Sequence, residues 1–257
     1  MTQFEEPVYG VAPLDNVSRL SALIMRCQDR HDGLPGMGCL YGRSGLGKTT
    51  AAIHAVNAYN ACHIEALPVG GTKSLMNMLV IEMGLKPQPT TEKLFMQAVS
   101  HLLKSPRTVL IDEADQVLND RSIELIRRLH DMTQVPVILL GEEMLPQKLQ
   151  RWERVSSRIL GFVGMAEATA RDVDHLARIY AKGLDLSAEL KAQILRASRG
   201  SIRNVATNLA GVAEYAMVRG LSRLDGDALG GQPLHTGEAP APRYVASNRP
   251  LRRGAAA

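Results

Sequence analysis

Cysteine is scarce in this 257-residue chain: Cys27, Cys39 and Cys62 are the only three, and none stands in a CxxC pair. Three thiols cannot all pair and a chain of this length needs no disulfide scaffold; zinc is disfavoured, and reduced thiols in a cytoplasm are the economical reading. Long apolar runs are missing as well. No uncharged apolar stretch approaches the roughly 18 residues that a membrane span needs. Met1 to Pro13 joins no basic cluster to an apolar run, so export and membrane insertion are disfavoured. Neither sign of charge dominates: 30 Lys and Arg against 26 Asp and Glu give +4, with a pI near 9.0. That balance permits an anionic partner without requiring one. No internal repeat is visible.

What is present is the composition of an ordinary globular chain, 45% hydrophobic and 22% charged, long enough to bury a core without staples. From Pro35 to Pro136 short β-prone runs alternate with longer helical ones, the pattern of βαβ units and a mostly parallel sheet. Gly38 to Tyr41 leads into a glycine-rich loop. Thr108 to Ile111 leads into an acidic pair, and Val135 to Leu140 leads into Gly141 and Glu142. Ligands of such sheets bind at the carboxyl ends of the strands, so these three endings are expected to converge on one crevice. His63 to Leu67 and Ile159 to Val163 read as two further strands, making about five.

Between strands, Ile123, Ile126, Leu129 and His130 recur at helical spacing after Asp120, an expected N-cap, with Arg127 and Arg128 largely off that stripe. Past residue 166 the strand signals stop. Thr169 with Asp172 resembles a capping box ahead of Val173, Leu176, Ala177 and Tyr180, and helices are expected over Ser187 to Ala197 and Ser201 to Val218. Beyond Asp225 the chain turns to Gly, Pro, Ala and Arg, too poor in large apolar residues to offset its ordering entropy, and reads as a disordered tail. The expected organisation is an N-terminal segment (1–34), an αβα core (35–164), a helical unit (165–222) and the tail (223–257).

Gly42, Arg43, Ser44, Gly45, Leu46, Gly47, Lys48 and Thr49 fit the GxxxxGK[ST] phosphate loop, set between a strand and a helix that begins near Thr50. Glycines let the loop's N–H groups turn toward phosphates. Lys48 brings charge to the β and γ groups, and the Thr49 hydroxyl suits Mg2+. Val109 to Ile111 delivers Asp112 to the Mg2+ shell, and Glu113 is placed as general base for an in-line water. Arg151, Arg154 and Arg158 supply cations from which an arginine finger could come; a solvated basic face is the alternative reading. Arg203, in Gly200-Ser-Ile-Arg203, could report on the γ phosphate from a helix start.

In this order the elements resemble the AAA+ ATPases over about residues 8 to 218. Within that superfamily they look most like the DNA-transposition regulators, the phage Mu B and TnsC/TniB group, with replication initiators and IstB-like helpers next. The resemblance implies an α/β fold: an AAA+ P-loop NTPase core with a parallel five-stranded sheet in three αβα layers, a small C-terminal all-helical lid and a disordered tail. It makes Lys48 and Thr49 the Walker A ligands and Asp112 and Glu113 the Walker B pair. Arg158 becomes the finger acting on a neighbour's ATP and Arg203 the second sensor. Val8 and Tyr9, with Val11 and Pro13, stand where the family packs adenine, although Tyr9 reads equally as a core aromatic. Glu142 replaces the usual Asn or Thr of the sensor strand, which predicts slow hydrolysis or hydrolysis stimulated by DNA or a partner. Thr72, Lys73 and, more weakly, Arg121 are the candidate DNA contacts, against a merely solvated role. Together these imply ATP and Mg2+ as cofactors and a cytoplasmic ATPase without membrane contact. It would form a homo-oligomeric ring or filament on double-stranded DNA and deliver that target DNA to a transposase, largely without sequence preference. A helicase loader or initiator, or a protein-directed switch without DNA, are the rival readings.

Overall fold

The computed structural model describes residues 14–226 and 234–238. Its elements in chain order are α1 (Asp15–Gln28), β1 (Met37–Tyr41), α2 (Lys48–Tyr59), β2 (Cys62–Glu65), α3 (Gly71–Glu82) and α4 (Thr91–Lys104). After these come β3 (Val109–Asp112), α5 (Asp120–Thr133), β4 (Val137–Gly141), α6 (Leu145–Leu149), α7 (Glu153–Ser156) and β5 (Ile159–Gly164). The chain continues through α8 (Ala170–Tyr180), β6 (Asp185–Leu186), α9 (Ala188–Ala197), α10 (Ile202–Arg219) and β7 (Arg223–Leu224). β1 to β5 form one parallel sheet in the order β2-β3-β4-β1-β5.

Both faces of the sheet are buried at the central strands β1, β3 and β4, which is why these read as continuous apolar runs. Alternation sorts the side chains into two cores. Met37, Cys39, Val109, Ile111, Val137 and Leu139 pack with α3, α4 and α5. Leu40, Leu110, Ile138 and Leu140 face the other way, onto α1 and α2. The second core does not stop there: Val173, Leu176, Leu190, Val205 and Leu209 of α8, α9 and α10 belong to the same cluster. Its apolar contacts continue from the sheet face into the C-terminal helices. Among the described residues no helix is long and apolar enough to cross a membrane.

Polar ties reinforce that join. Asn16 in α1 donates through Nδ2 to the carbonyls of Leu46 at 3.0 Å and Ala166 at 2.9 Å, and its Oδ1 accepts from the Ala166 N–H at 2.8 Å. Asp172 caps α8 through Thr169 and also accepts from the Asp15 N–H at 3.1 Å. One cap differs from expectation. Asn119, in extended backbone, accepts from the N–H groups of Arg121 and Ser122, so Asp120 is already the first helical residue of α5. The expected helices over 187–197 and 201–218 appear as α9 and α10, capped by Ser187 and Ser201.

In the C-terminal segment β7 pairs in parallel with β6, and residues 234–238 lie on α10. There the His235 N–H donates to Asn208 Oδ1 at 2.6 Å, and Asn208 Nδ2 donates to the His235 carbonyl at 2.9 Å. The remainder of the tail lies outside the described residues. All three thiols are buried, and burial pushes Cys27 and Cys62 up to about 11.

Candidate functional site

β1 ends at Tyr41 and α2 begins at Lys48, so residues 42–47 must turn the chain at the carboxyl end of the strand. Gly45 and Gly47 do so at φ +84° and +88°, a region that strains any other residue. Lys48 is buried, and its Nζ donates to the carbonyls of Gly42 at 2.8 Å and Arg43 at 3.2 Å, which places the ammonium inside the loop. Arg43 also forms an ion pair with Glu167, at the approach to α8.

Thr49, in the first turn of α2, donates through Oγ1 to Asp112 Oδ2 at 2.9 Å. Asp112, fully buried at the end of β3, accepts the Glu113 N–H on Oδ1 at 2.9 Å. Burial alone would raise the Asp112 pKa. The nearby His63 imidazole and the hydrogen bonds from Thr49 and the Glu113 N–H outweigh it and hold the carboxyl below its ordinary value, so it is ionised. Glu113 follows at φ +52°, left-handed backbone that an L side chain adopts at a cost. Burial first, then the Asp112 charge, push its pKa up, with Lys48 opposing.

Lys48, Thr49 and Glu113 open onto a cavity of about 800 Å3 between the loop, α8 and α10, with Asp112 buried behind Thr49, within the range of small-molecule sites. Ser44, Lys48, Thr49, Thr50, Glu113 and Arg203 give it polar lining, Leu14, Leu176, Ile179, Tyr180 and Ala210 apolar lining, and Thr207 and Glu214 of α10 also face it. The helical unit touches the loop directly. The Arg203 N–H donates to the Gly45 carbonyl at 3.0 Å, the Ser201 hydroxyl approaches the same oxygen at 3.4 Å, and Arg203 Nη1 reaches Ser44 Oγ at 3.4 Å.

The other expected residues divide. Val8 and Tyr9 lie outside the described residues. Glu142, exposed after β4, donates its N–H to Asp115 Oδ2 at 2.6 Å; its side chain does not line the cavity, although its charge adds to the rise of the Glu113 pKa. Arg158 is not brought to the site. It precedes β5, its carbonyl accepts from the Met37 N–H at the start of β1, and its Nε donates to Asp131 Oδ1 at 2.8 Å. It therefore stands at the amino end of a sheet whose carboxyl end carries Lys48. Thr72 and Lys73 occupy the first turn of α3, which follows Gly70 at φ +87°. Arg121 is exposed in the first turn of α5, so all three follow neighbouring strands at the sheet's carboxyl edge.

Two residues were not anticipated. Asp115 is nearly buried and joins the ends of β3 and β4, accepting from Lys148 Nζ at 3.0 Å as well as from Glu142. His63, in β2, places Nε2 3.7 Å from Asp112 Oδ2. Asp115 was legible as the third acid of Asp112-Glu-Ala-Asp115, whereas His63 carries no motif.

With this geometry in hand, comparisons with known proteins are specific about the fold. Residues 31–149 match the family model described as an AAA domain. The chain is similar to the Orc1 protein of Aeropyrum pernix, solved in complex with DNA: 16% identity over 85% of this chain and 64% of that one, TM-score 0.61. It is similar to Cdc6p from Pyrobaculum aerophilum at 16% identity, over 85% and 66% of the two chains, TM-score 0.64. RuvB of Thermotoga maritima, a Holliday junction branch migration motor, is 19% identical over 85% and 67%, TM-score 0.59. The chain thus spans under two thirds the length of the first two. No curated protein matches it. The fold is that of the AAA+ P-loop NTPases: a five-stranded parallel sheet flanked by helices, with a helical unit over the carboxyl edge.

Proposed function

We propose that this chain is an ATP-hydrolysing AAA+ protein that assembles with ATP on double-stranded DNA, largely without sequence preference, and presents that DNA to a transposase. The observation that carries the ATPase part is the junction of Thr49, Asp112 and Glu113 beside the Lys48 ammonium. A hydroxyl and an ionised carboxylate 2.9 Å apart are hard oxygen donors of the kind Mg2+ selects. The residues fit the group, so Thr49 and Asp112 would hold Mg2+, which would supply charge neutralisation at the β and γ phosphates.

Residues 42–47 and Lys48 would cradle the phosphates while the apolar lining residues of the cavity take the base. Glu113, outside the hydroxyl–carboxylate pair but on the same cavity wall, would take the proton of an attacking water. Its raised pKa makes it a better base than a solvated glutamate. Arg203 would hold the helical unit to the γ phosphate. Arg158, at the opposite end of the sheet, could serve hydrolysis only at the site of another copy, which is why the reading includes a homo-oligomer.

The DNA part is supported by exposed Lys73 and Arg121 at one edge of the sheet and by the order of the motifs, and the transposase by the motif order alone. A loader or initiator of replication is the second reading, favoured by the similarity to Orc1 with DNA and to Cdc6p.

Anisotropy of a labelled random-sequence duplex tests the proposal. Tight, salt-sensitive binding is expected with ATP and Mg2+, and not with ADP or with Lys48→Ala. Binding that ignores nucleotide, or none at all, rejects it in favour of a protein-directed switch. A preference for single strands moves it to the loader reading.

A further inference from the structure

We propose that His63 is a positioning residue for Asp112: its imidazole fixes the carboxylate through which the site holds its divalent cation. This rests on the reading that Asp112 and Thr49 face nucleotide-bound Mg2+, and it adds a residue that no part of the phosphate-loop pattern contains.

The placement follows from the sheet. β2 lies beside β3, with His63 in register with Leu110 and Glu65 with Asp112. Side chains two apart on parallel neighbours share a face, so His63 and Asp112 both project toward α2, where Leu110 packs. The His63 side chain is 17% exposed and that of Asp112 1%. His63 Nε2 is buried, has no hydrogen-bond partner among the described residues, and stands 3.7 Å from Asp112 Oδ2. A buried polar nitrogen without a partner is uncommon and calls for an explanation. Here the group it faces is a carboxylate that must keep one orientation.

Asp112 is approached by donors from three elements: the Glu113 N–H on Oδ1, and Thr49 Oγ1 and His63 Nε2 on Oδ2. The Thr49 oxygen is itself a candidate cation ligand, so its position depends on the ligand it helps to bind. His63 has no such second task. A small rotation about its side-chain torsions brings Nε2 within hydrogen-bond range of Oδ2, and the carboxylate is then held from the β2 side whether or not a cation is bound. Groups that orient a metal-binding carboxylate in this way typically change metal affinity 10- to 100-fold when removed.

The test uses the full chain and a fluorescent N-methylanthraniloyl-ATP, titrated at a series of free Mg2+ concentrations and also in EDTA. Wild type, His63→Leu, His63→Met, His63→Gln and Asp112→Asn are compared, with thermal melting to identify any apolar variant that has loosened the sheet. His63→Leu or His63→Met should need about tenfold more Mg2+ for half-maximal tightening of the nucleotide, with unchanged affinity in EDTA. His63→Gln, which keeps a donor at the same reach, should restore the wild-type requirement. Unchanged Mg2+ dependence in the apolar variants overturns the proposal, as does a His63→Gln that behaves like them. Equal weakening with and without Mg2+ overturns it too, since that is the mark of packing. If wild type shows no Mg2+ dependence, or Asp112→Asn leaves it intact, the ATP–Mg2+ reading itself fails, and those two arms show this separately.

Discussion

Arg158 Nε donates to Asp131 Oδ1 at 2.8 Å, at the end of the sheet opposite Lys48. Five residues of β1 lie between, about 16 Å at 3.3 Å per residue, too far for an arginine to reach its own chain's site. Arg158→Ala should therefore leave nucleotide affinity intact while lowering hydrolysis by about 10³-fold or more. Glu113→Gln should give a similar loss from the other side of the seam. Mixed in equal amounts, the two inactive variants should recover activity, because about a quarter of the seams then join an intact Glu113 to an intact Arg158. Steady-state phosphate release checks this, and a mixture as inactive as its parts would show that Arg158 does not act between copies.

Gly45 sits at φ +84°, and a Cβ there would stand 2.6 Å from Ser201 Oγ, the group that caps α10. Gly183 has a comparable φ of +80° with open space around it. Gly183→Ala should cost only the left-handed backbone penalty, about 1–2 kcal/mol. Gly45→Ala should cost about 1 kcal/mol more through the displaced cap and should also weaken nucleotide binding. Urea unfolding with a parallel nucleotide titration compares them, and equal losses in the two would show that the approach of α10 to the loop contributes nothing.

Much of this site was legible because its chemistry is contiguous. Gly42 to Thr49 and Asp112-Glu113 are unbroken runs that follow apolar strands, so their convergence required only that the strands be parallel. What could not be read depended on which strand lies beside which. His63 meets Asp112 only because β2 is the neighbour of β3, and Arg158 meets Asp131 only because β5 returns beside β1. The N-cap of α5 was placed one residue late because Asn119 and Asp120 both suit the role, and only the extended backbone at Asn119 decides between them. Residues 234–238 were expected to be unsupported, since Leu234 is the segment's one large apolar contact with the core and the rest of the tie is polar, to Asn204 and Asn208 of α10 and to Arg199.

Asn208 gives another prediction. Asn208 is buried, and besides both backbone groups of His235 its Nδ2 reaches Ser198 Oγ at 3.1 Å. Asn208→Ala should destabilise the helical unit by about 1–3 kcal/mol, the usual cost of stranding buried polar partners. It should also speed amide exchange at His235. Unchanged protection of that amide would mean the segment is held by something else.

His130 makes stability depend on pH. Its ring is buried, Nδ1 lies 2.8 Å from the Val135 carbonyl, and burial above all, with Arg30 and Arg158, pushes its pKa below the ordinary 6.5 despite Asp131. Above that value neither the folded nor the unfolded chain is protonated here, and the full stability is present. As pH falls below it, the unfolded chain takes a proton that the folded chain refuses, so stability declines until the depressed folded value is reached. Urea midpoints between pH 8 and 5.5 should fall in wild type more steeply than in His130→Gln. Parallel slopes would remove His130 as the cause.

The 18-residue α10 is about 27 Å long, and its first turn is hydrogen-bonded to the Gly45 carbonyl. Val205, Leu209, Val212 and Ala216 are buried along its length, so it can tilt only together with the helices it packs on, as one lever. A turn of about 10° at the anchor carries the far tip through about 5 Å, and that tip bears Met217 and Val218, each about three quarters exposed. A shift at the Gly45 anchor that tilted the helical unit by that much would be magnified there into a displacement larger than a methyl group.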